Sequence, residues 1–232
     1  MVEAPLQIPP FQLLNIMNKN TLIISGSILL AVTFLIIVFQ LTNKPIQTFF
    51  PEINKIVKQD HIKWSPAKKN ILVEYSDFQC PACKTFHEYI KKELDSDKKI
   101  TSNVTFVYRH FPLYQIHEGA FESAYAAEAA GIQGKFFEMT DLLFTKQSDW
   151  VGSKNLKEAF VKLAKPLNLN LEKFKTDMDS QAVKDKVAAD QSLAEKSGVD
   201  QTPTFFLNGK KLEITTFEEF KKLLLLPQNG IK

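Results

Sequence analysis

The 232-residue sequence has few of the features that mark several common protein classes. It contains only two cysteines, which excludes both a small fold stapled by several disulfides and a self-contained four-cysteine zinc site. The 29 basic and 26 acidic residues leave a net charge of +3, without the clustered excess that nucleic-acid binding requires. Hydrophobic residues make up 44% of the chain, which is enough for a packed core and too few for a protein with many membrane spans.

Charge is also absent from the segment between Lys19 and Lys44. Within it, the apolar run from Leu22 to Leu41 would form a helix roughly 30 Å long, about the thickness of the hydrocarbon layer. We therefore predict a tail over residues 1–20 and one transmembrane helix over 21–43. A buried core helix would be shorter and would carry regularly spaced polar positions.

A cleaved secretory signal is the closest alternative to this anchor. Its apolar region would be shorter, about 7 to 15 residues, and small residues would follow it. Phe39, Gln40, Leu41 and Thr42 stand there instead, which favours an uncleaved anchor.

The lysines around the apolar run conflict over its orientation. Lys44, Lys55, Lys58 and Lys63 follow the run, and the positive-inside rule would keep them in the cytoplasm. Long domains, however, cross the membrane largely regardless of charge. We expect a single-pass protein of the cell membrane with its catalytic domain outside the cytoplasm, and the opposite orientation stays open.

The rest of the chain reads as a tether and one α/β domain. Residues 44–66 contain three prolines and scattered lysines, which is typical of a tether, with one short helix near 52–59. The domain over 67–232 is expected to be a mixed sheet flanked by helices, with an all-helical insertion at about 115–197. The predicted elements are strands at 71–75 and 104–108, helices at 80–94, 120–130, 135–145, 155–164, 171–178 and 182–196, a hairpin at 203–214 and a helix at 216–225.

The two cysteines, Cys80 and Cys83, stand three residues apart at the start of a predicted helix. Unpaired backbone N–H groups and the helix dipole favour a thiolate at that end, so the pKa of Cys80 should fall from about 8.5 into the range of roughly 3.5 to 7.5. Pro81 suits the first helical position because it has no N–H to leave unpaired. Cys83, one turn further in, should remain a thiol and act as the resolving partner.

The cysteine pair has three other interpretations: a zinc site, covalent haem attachment and inert thiols. A zinc site could add His87, but its fourth ligand would have to be a carboxylate or one of the histidines at 61, 110 and 117. Covalent haem requires a histidine directly after the second cysteine, and Lys84 stands there. The third interpretation is a pair of inert buried thiols. We expect no metal and no cofactor.

Four blocks of sequence occur in a fixed order: VEYSDFQCPACKTFH from Val73, FVYRHFPL from Phe106, HEGAFESAYAAEAAGIQGKFFEM from His117 and GVDQTPTFFLNGKKL from Gly198. Together they resemble the DsbA-like thiol-disulfide oxidoreductases of the thioredoxin superfamily. The resemblance covers about residue 70 to the C-terminus and implies a thioredoxin-like fold with a helical insertion. It also implies that Cys80 is the attacking cysteine, Cys83 the resolving one and Pro203 a cis-proline facing them.

Two further residues have candidate roles beside the cysteines. An X-Pro bond costs only about 0.5 to 1 kcal/mol to hold cis, and a cis Pro203 would expose the backbone of Thr202 as an edge for an extended peptide. The alternative is a plain strand-starting proline. Glu74 lies on an apolar strand and should be buried with a raised pKa. The resemblance implies that it assists proton transfer at the resolving thiol, and a hydrated acid at a strand end is the alternative.

Other polar residues near this motif carry weaker predictions. Asp77 is expected to cap a turn. Arg109 and His110 follow the second strand and are expected near the redox face, without an assigned role. Gln201 stands where relatives often have glycine.

The dipeptide between the cysteines, Pro81 and Ala82, is expected to contact substrate together with Thr202. The strongest oxidants of the resembling family carry a histidine second in this dipeptide. Ala82 offers no such charge to hold the thiolate, so we predict a milder oxidant.

The leading hypothesis is a membrane-anchored, monomeric oxidase that introduces disulfides into exported thiol-containing proteins. The resemblance implies re-oxidation by a quinone-linked membrane protein of DsbB or VKOR type, and no nucleic acid is involved. One alternative is a reductase or isomerase of the same fold. Another is a membrane-tethered peptide-binding module whose redox pair is incidental.

Overall fold

The computed structural model describes residues 19–42, 49–67 and 70–226. The chain divides into two compact units, Met1–Ile46 and Gln47–Lys232. Most of the predicted tail, residues 1–18, and the first part of the predicted tether, through residue 48, lie outside the described residues.

The first unit contains helix α1 (Lys19–Thr42), which covers the apolar run. The hydroxyls of Ser27 and Thr33 donate to backbone carbonyls three or four residues earlier, so they are satisfied within the helix. In the part of the chain that the structure describes, none of the helices has both the length and the apolar character of a membrane span. The helix is therefore present where it was predicted, and the membrane span stays a prediction.

The second unit is built on a mixed sheet with the strand order β1-β3-β2-β4-β5. Strands β2 and β3 are parallel, and the other pairs are antiparallel. This arrangement confirms the predicted mixed sheet. The strands are β1 (His61–Trp64), β2 (Asn70–Ser76), β3 (Val104–His110), β4 (Thr204–Leu207) and β5 (Lys210–Lys211).

The predicted helices between the second and third predicted strands are present with small shifts at their ends. The segment between β3 and β4 is all helical, as expected of the insertion. The predicted helix at 80–94 changes into a π-helical turn at Ile90–Leu94. The helices are α2 (Pro81–Tyr89), α3 (Lys98–Thr101), α4 (Ala120–Ile132), α5 (Phe136–Thr145), α6 (Gln147–Trp150), α7 (Leu156–Ala164), α8 (Leu171–Met178), α9 (Gln181–Lys196) and α10 (Phe217–Leu225).

Local sequence signals explain where several elements begin and turn. The side chain of Thr216 accepts a hydrogen bond from the Glu219 backbone N–H at 3.1 Å and caps α10. The turn between β4 and β5 has Asn208 at φ 53° and Gly209 at φ 79°, the left-handed conformation that an Asn-Gly hairpin needs. The side chain of Asn208 also connects the turn to β2, because its Oδ1 accepts a hydrogen bond from the Ile71 backbone N–H at 2.8 Å.

The sheet is covered on both sides, so β2 and β3 are almost completely buried. One face, which includes Leu72 and Tyr108, packs against α2, α4 and α5. The opposite face, which includes Val73 and Tyr75, packs against Ile53 and α9. Burial on both faces is what the continuous apolar run of β2 predicts.

The segment predicted as a tether contains part of the folded unit. A 3₁₀ helix covers Pro51–Asn54 in place of the predicted helix at 52–59, and β1 pairs with β3 at the sheet edge. Arg109 holds this segment, because its guanidinium donates to the backbone oxygens of Ile53 at 2.9 Å and Lys55 at 2.8 Å. The sequence pattern does not predict β1, because the four residues of this strand have no clear apolar alternation and the strand it pairs with is more than about 40 residues away.

Candidate active site

The loop between β2 and α2 is held by the buried carboxylate of Asp77. Its oxygens accept from the backbone N–H groups of Gln79 at 2.7 Å and Leu113 at 2.8 Å, and they contact Nδ1 of His117 at 2.9 Å. The carbonyl of Asp77 accepts from the Cys80 N–H at 3.1 Å. Asp77 therefore caps a turn, as predicted, and fixes the position from which α2 begins.

Cys80 occupies the cap position of α2, and Pro81 is the first helical residue. Cys80 is 6% exposed, and its Sγ lies 3.4 Å from the backbone oxygen of Thr202. The Thr202–Pro203 peptide bond is cis. The structure therefore brings Cys80 next to the Thr202–Pro203 dipeptide, although Thr202 lies 122 positions further along the chain.

The pKa values of the two cysteine thiols are shifted in opposite directions. A hydrogen bond from Cys83 lowers the pKa of Cys80 to about 5; burial works against this, while Thr202 and the backbone N–H groups of residues 82 and 83 add to it. Burial raises the pKa of Cys83 well above its ordinary value, and the neighbouring Cys80 and Glu74 raise it further. At pH 7 a thiol of pKa 5 is roughly 99% ionised, so Cys80 is a thiolate beside a neutral Cys83.

Glu74 is 3% exposed on β2, beneath the cysteine pair. Burial raises the pKa of its carboxyl to about 7, although Ser76 and Lys63 lower it. The alternative of a hydrated acid at a strand end is therefore wrong. Glu74 can hold or release a proton near neutral pH, which is the range in which a general acid or base works best.

The dipeptide between the cysteines is accessible. Pro81 and Ala82 are exposed at the start of α2, whereas the cysteines beside them are buried. A separate cavity of about 160 Å³ lies at Pro203 and is also lined by Gln201, Phe86 and Leu212. It places open space beside the residue that follows Thr202.

The other polar residues singled out from the sequence are each paired with an acid of another segment. Arg109 is buried on the opposite face of the sheet, where it pairs with Asp60 at 2.9 Å. His110 contacts Glu128 at 2.8 Å and His87 lies 3.1 Å from Asp141. No group of three metal-ligating side chains occurs among the described residues, and the zinc interpretation thus has no support in that part of the chain.

Sequence reasoning missed the side chains that face Glu74. In the parallel pairing of β2 with β3, Tyr108 is the register partner of Glu74. Its phenol is completely buried, and burial together with Glu74 raises its pKa well above the ordinary value. The sequence predicts two buried strands, and hence that a residue of the second strand could lie beside Glu74. It does not predict the register that makes this residue Tyr108.

A cysteine pair at the start of a helix, next to a mixed sheet and facing a cis-proline, is the arrangement of a domain of the thioredoxin fold. The sequence profile of the family described as "Thioredoxin" matches residues 48–225, most of the chain. The chain therefore belongs to the thioredoxin family.

Curated relatives match 65–74% of this chain at 32–36% identity. A protein named Na(+)/H(+) antiporter NhaA 1 from Mycolicibacterium gilvum is 35% identical over 157 residues, which are 66% of this chain and 24% of that protein. Na(+)/H(+) antiporter NhaA 3 from Salinispora tropica is 32% identical over 182 residues, 74% of this chain and 26% of that protein. The chain thus spans about a quarter of the length of these relatives.

Solved structures share the fold at lower identity. BdbD from Bacillus subtilis has a TM-score of 0.62 and 21% identity over 77% of this chain and 96% of that one. A thioredoxin-like oxidoreductase from Silicibacter pomeroyi has a TM-score of 0.60 and 24% identity over 73% and 91%. DsbA2 from Pseudomonas aeruginosa has a TM-score of 0.59 and 21% identity over 77% and 100%. The domain has the fold of DsbA-type thiol-disulfide oxidoreductases.

Proposed function

We propose that the protein is a thiol-disulfide oxidase whose redox centre is the Cys80–Cys83 pair. The observation that carries this proposal is the position of Cys80, at the first turn of α2 and against the Thr202 backbone oxygen. Its thiolate is stable at neutral pH, and a stable thiolate favours the reduced form of the protein. A protein that prefers to be reduced passes its disulfide to substrates.

The reaction is a pair of thiol-disulfide exchanges. A substrate thiolate attacks Sγ of Cys80 in the disulfide, a mixed disulfide forms, and Cys83 leaves as a thiolate that takes up one proton. A second substrate thiolate then attacks the substrate sulfur of the mixed disulfide, and Cys80 leaves as a thiolate. The substrate loses two electrons and gains a disulfide, and the cysteine pair takes the two electrons.

The residues around the pair divide these tasks. Glu74 is placed to supply the proton to Cys83 and to remove it when the enzyme is re-oxidised. Pro81, Ala82 and the backbone of Thr202 line the approach of an extended substrate. Without a charge at Ala82, the thiolate is held by the helix start and by Cys83, which is consistent with a milder oxidant.

The test is the redox equilibrium of the full-length chain with glutathione. We expect a reduction potential closer to the oxidant value of about −120 mV than to the reductant value of about −270 mV. Replacing Cys80 with serine should abolish exchange, whereas replacing Cys83 with serine should trap a mixed disulfide at Cys80. A value near the reductant end would make the protein a reductase, and full function of the Cys80→Ser variant would leave only a peptide-binding module.

We also propose that α1 anchors the protein in the cell membrane with the redox domain outside the cytoplasm. The uncharged run from Leu22 to Leu41 supports this placement, and so does the need of a disulfide-forming protein for an oxidising compartment. The substrates would be exported thiol-containing proteins, and re-oxidation would fall to a quinone-linked membrane protein of DsbB or VKOR type. Protease added to intact cells should cleave the domain; cleavage only after lysis would place it in the cytoplasm.

A further inference from the structure

The proposed reaction requires proton transfer to and from Cys83, whose sulfur is buried. Each cycle puts one proton on the sulfur of Cys83 and takes it off again. Cys83 is 0% exposed and Glu74 is 3% exposed, so neither exchanges protons directly with water. A proton held by Glu74 needs a route to the surface.

Four polar side chains form a square on one face of the sheet. Glu74 and Ser76 are alternate residues of β2, so they point to the same face. In the parallel register they pair with Tyr108 and His110 of β3, which also alternate. Parallel neighbours lie about 4.8 Å apart, so each of the four side chains has two others beside it.

Each member of the square has a buried polar atom without a hydrogen-bond partner among the described residues. These atoms are Oε1 of Glu74, Oγ of Ser76, the hydroxyl oxygen of Tyr108 and Nδ1 of His110. Buried polar atoms are rarely left unpaired because each costs about 1 to 3 kcal/mol. Ser76 lowers the pKa of both Glu74 and Tyr108, so its hydroxyl acts on both groups. Four such atoms side by side are suited to exchanging hydrogen bonds with each other or with water.

The far side of the square connects to the surface through a chain of hydrogen bonds. Nε2 of His110 lies 2.8 Å from Oε1 of Glu128, and Oε2 of Glu128 lies 2.9 Å from Nε2 of His61. The side chains of His110 and Glu128 are 1% and 8% exposed, whereas that of His61 is 18% exposed. Burial alone would raise the pKa of Glu128, but its bonds to the two histidines bring it below the ordinary value, so at rest it is a carboxylate that can take a proton from one imidazole and pass it to the other.

We propose that these residues form a proton path between the buried acid of the redox site and solvent: from Glu74 through Ser76 and Tyr108 to His110, and onward through Glu128 to His61. The inference rests on the proposed function, since it serves the proton of Cys83. None of the path residues beyond Glu74 acts on a sulfur atom directly, so they act through Glu74. An imidazole suits its place in the path because it has two ring nitrogens, so that it can take a proton at one and release it from the other.

The charged groups around the path are accounted for. Lys63 of β1 and the two cysteines act on Glu74, and Cys83 and Asp77 act on Tyr108. The backbone N–H of His110 donates to Asp190 of α9 at 3.1 Å, and Asp190 is paired with Lys186 at 2.6 Å. The ring of His61 stacks on Phe136 at 3.5 Å, which holds it at the exposed end of the path.

The test isolates the step in which Cys83 loses its proton. When the reduced full-length protein reacts with oxidised glutathione, the Cys80 thiolate first forms a mixed disulfide and releases glutathione; Cys83 must then be deprotonated before it attacks Cys80 and releases the second glutathione. Rapid quenching and mass spectrometry follow both steps. Tyr108→Phe and Glu128→Gln should each slow the second step about tenfold or more and leave the first unchanged.

Thr140→Val is the matched control, because Thr140 has a buried, unpartnered hydroxyl on α5, outside the path. It should change neither step. A purely structural effect of Tyr108→Phe would add to that of Glu74→Gln, whereas a shared path predicts that the double variant is no slower than Glu74→Gln alone.

Three outcomes decide the matter. If both path variants keep the parent rate of the second step at every pH from 5 to 9, the path is wrong. If one variant fails to fold, the other decides alone by the same measurement. If the parent protein forms no mixed disulfide at Cys80, the proposed function fails, and the path fails with it.

Discussion

At the scale of single residues, the site is built from groups held in unfavourable surroundings. Glu74 and Cys83 are both buried, and burial raises the pKa of each. This environment allows the carboxyl of Glu74 to exchange a proton with the thiol of Cys83. Such groups cost stability, and this cost is measurable.

Replacing Glu74 with glutamine should stabilise the reduced protein at high pH. The folded pKa of about 7 lies above the ordinary 4.5, so the carboxyl favours the folded state at low pH and loses that advantage as the pH rises from 4.5 to 7. The uncharged amide avoids this loss. We expect a gain of about 3 kcal/mol at pH 8 and little gain at pH 4, measured by urea unfolding.

The exposed Glu118 provides the matched control for this variant. Glu118→Gln should change the free energy of unfolding by less than about 0.5 kcal/mol at both pH values. A gain at Glu74→Gln that is equal at pH 4 and pH 8 would contradict a raised pKa.

At the scale of elements, the helical insertion is docked on the first strand through a close contact. An ideal Cβ on Gly131 of α4 would lie 2.7 Å from Cε1 of His61 on β1 and 3.4 Å from Cβ of Phe136. Glycine at this point of α4 is therefore explained by the approach of β1 and not by the backbone of the helix. The same approach brings His61 to Glu128.

Replacing Gly131 with alanine should destabilise the domain despite the better helix propensity of alanine. The propensity gain is about 1 kcal/mol, whereas overpacking costs about 1 to 3 kcal/mol. Thermal unfolding should show a lower melting temperature in the parent background. In a His61→Ala background the same change should be neutral or stabilising, and an equal loss in both backgrounds would show that His61 is not the obstacle.

The elements themselves were largely predictable where local signals mark them. Ser, Thr or Asn side chains cap α7, α8, α9 and α10, and Asn-Gly marks the hairpin. Strand β1 was not predictable, because it lies at the sheet edge and is defined by pairing with β3. The roles of Arg109 and His110 could not be inferred either, since their partners Asp60 and Glu128 come from other segments.

At the scale of the whole molecule, the redox state and the stability of the fold are linked through Cys80. The folded pKa of Cys80, about 5, lies below its ordinary value of 9. A depressed folded pKa contributes stability that is complete above the ordinary value and is lost as the pH falls toward the folded one. The oxidised protein has no thiolate and lacks this contribution.

The reduced form should therefore lose stability relative to the oxidised form as the pH falls from about 9 to 5. Parallel denaturant titrations of both forms in the same buffers would measure the difference in unfolding free energy. The oxidised form is the matched control, because it shares every titrating group except the two cysteines, and the pKa of Cys83 lies above this pH range. A difference that stays constant across this range would contradict a stabilised thiolate.

The sequence alone determined the cysteine pair, the helix that begins beside it, the apolar strand beneath and the uncharged run near the N-terminus. Each of these depends on residues close together in the chain, where propensity, capping and spacing act directly. The tertiary structure decided the rest: Thr202 against Cys80, Tyr108 beside Glu74, and Glu128 between two histidines. These neighbours are set by strand register and by the docking of distant segments, which are decided by the packing of the whole core.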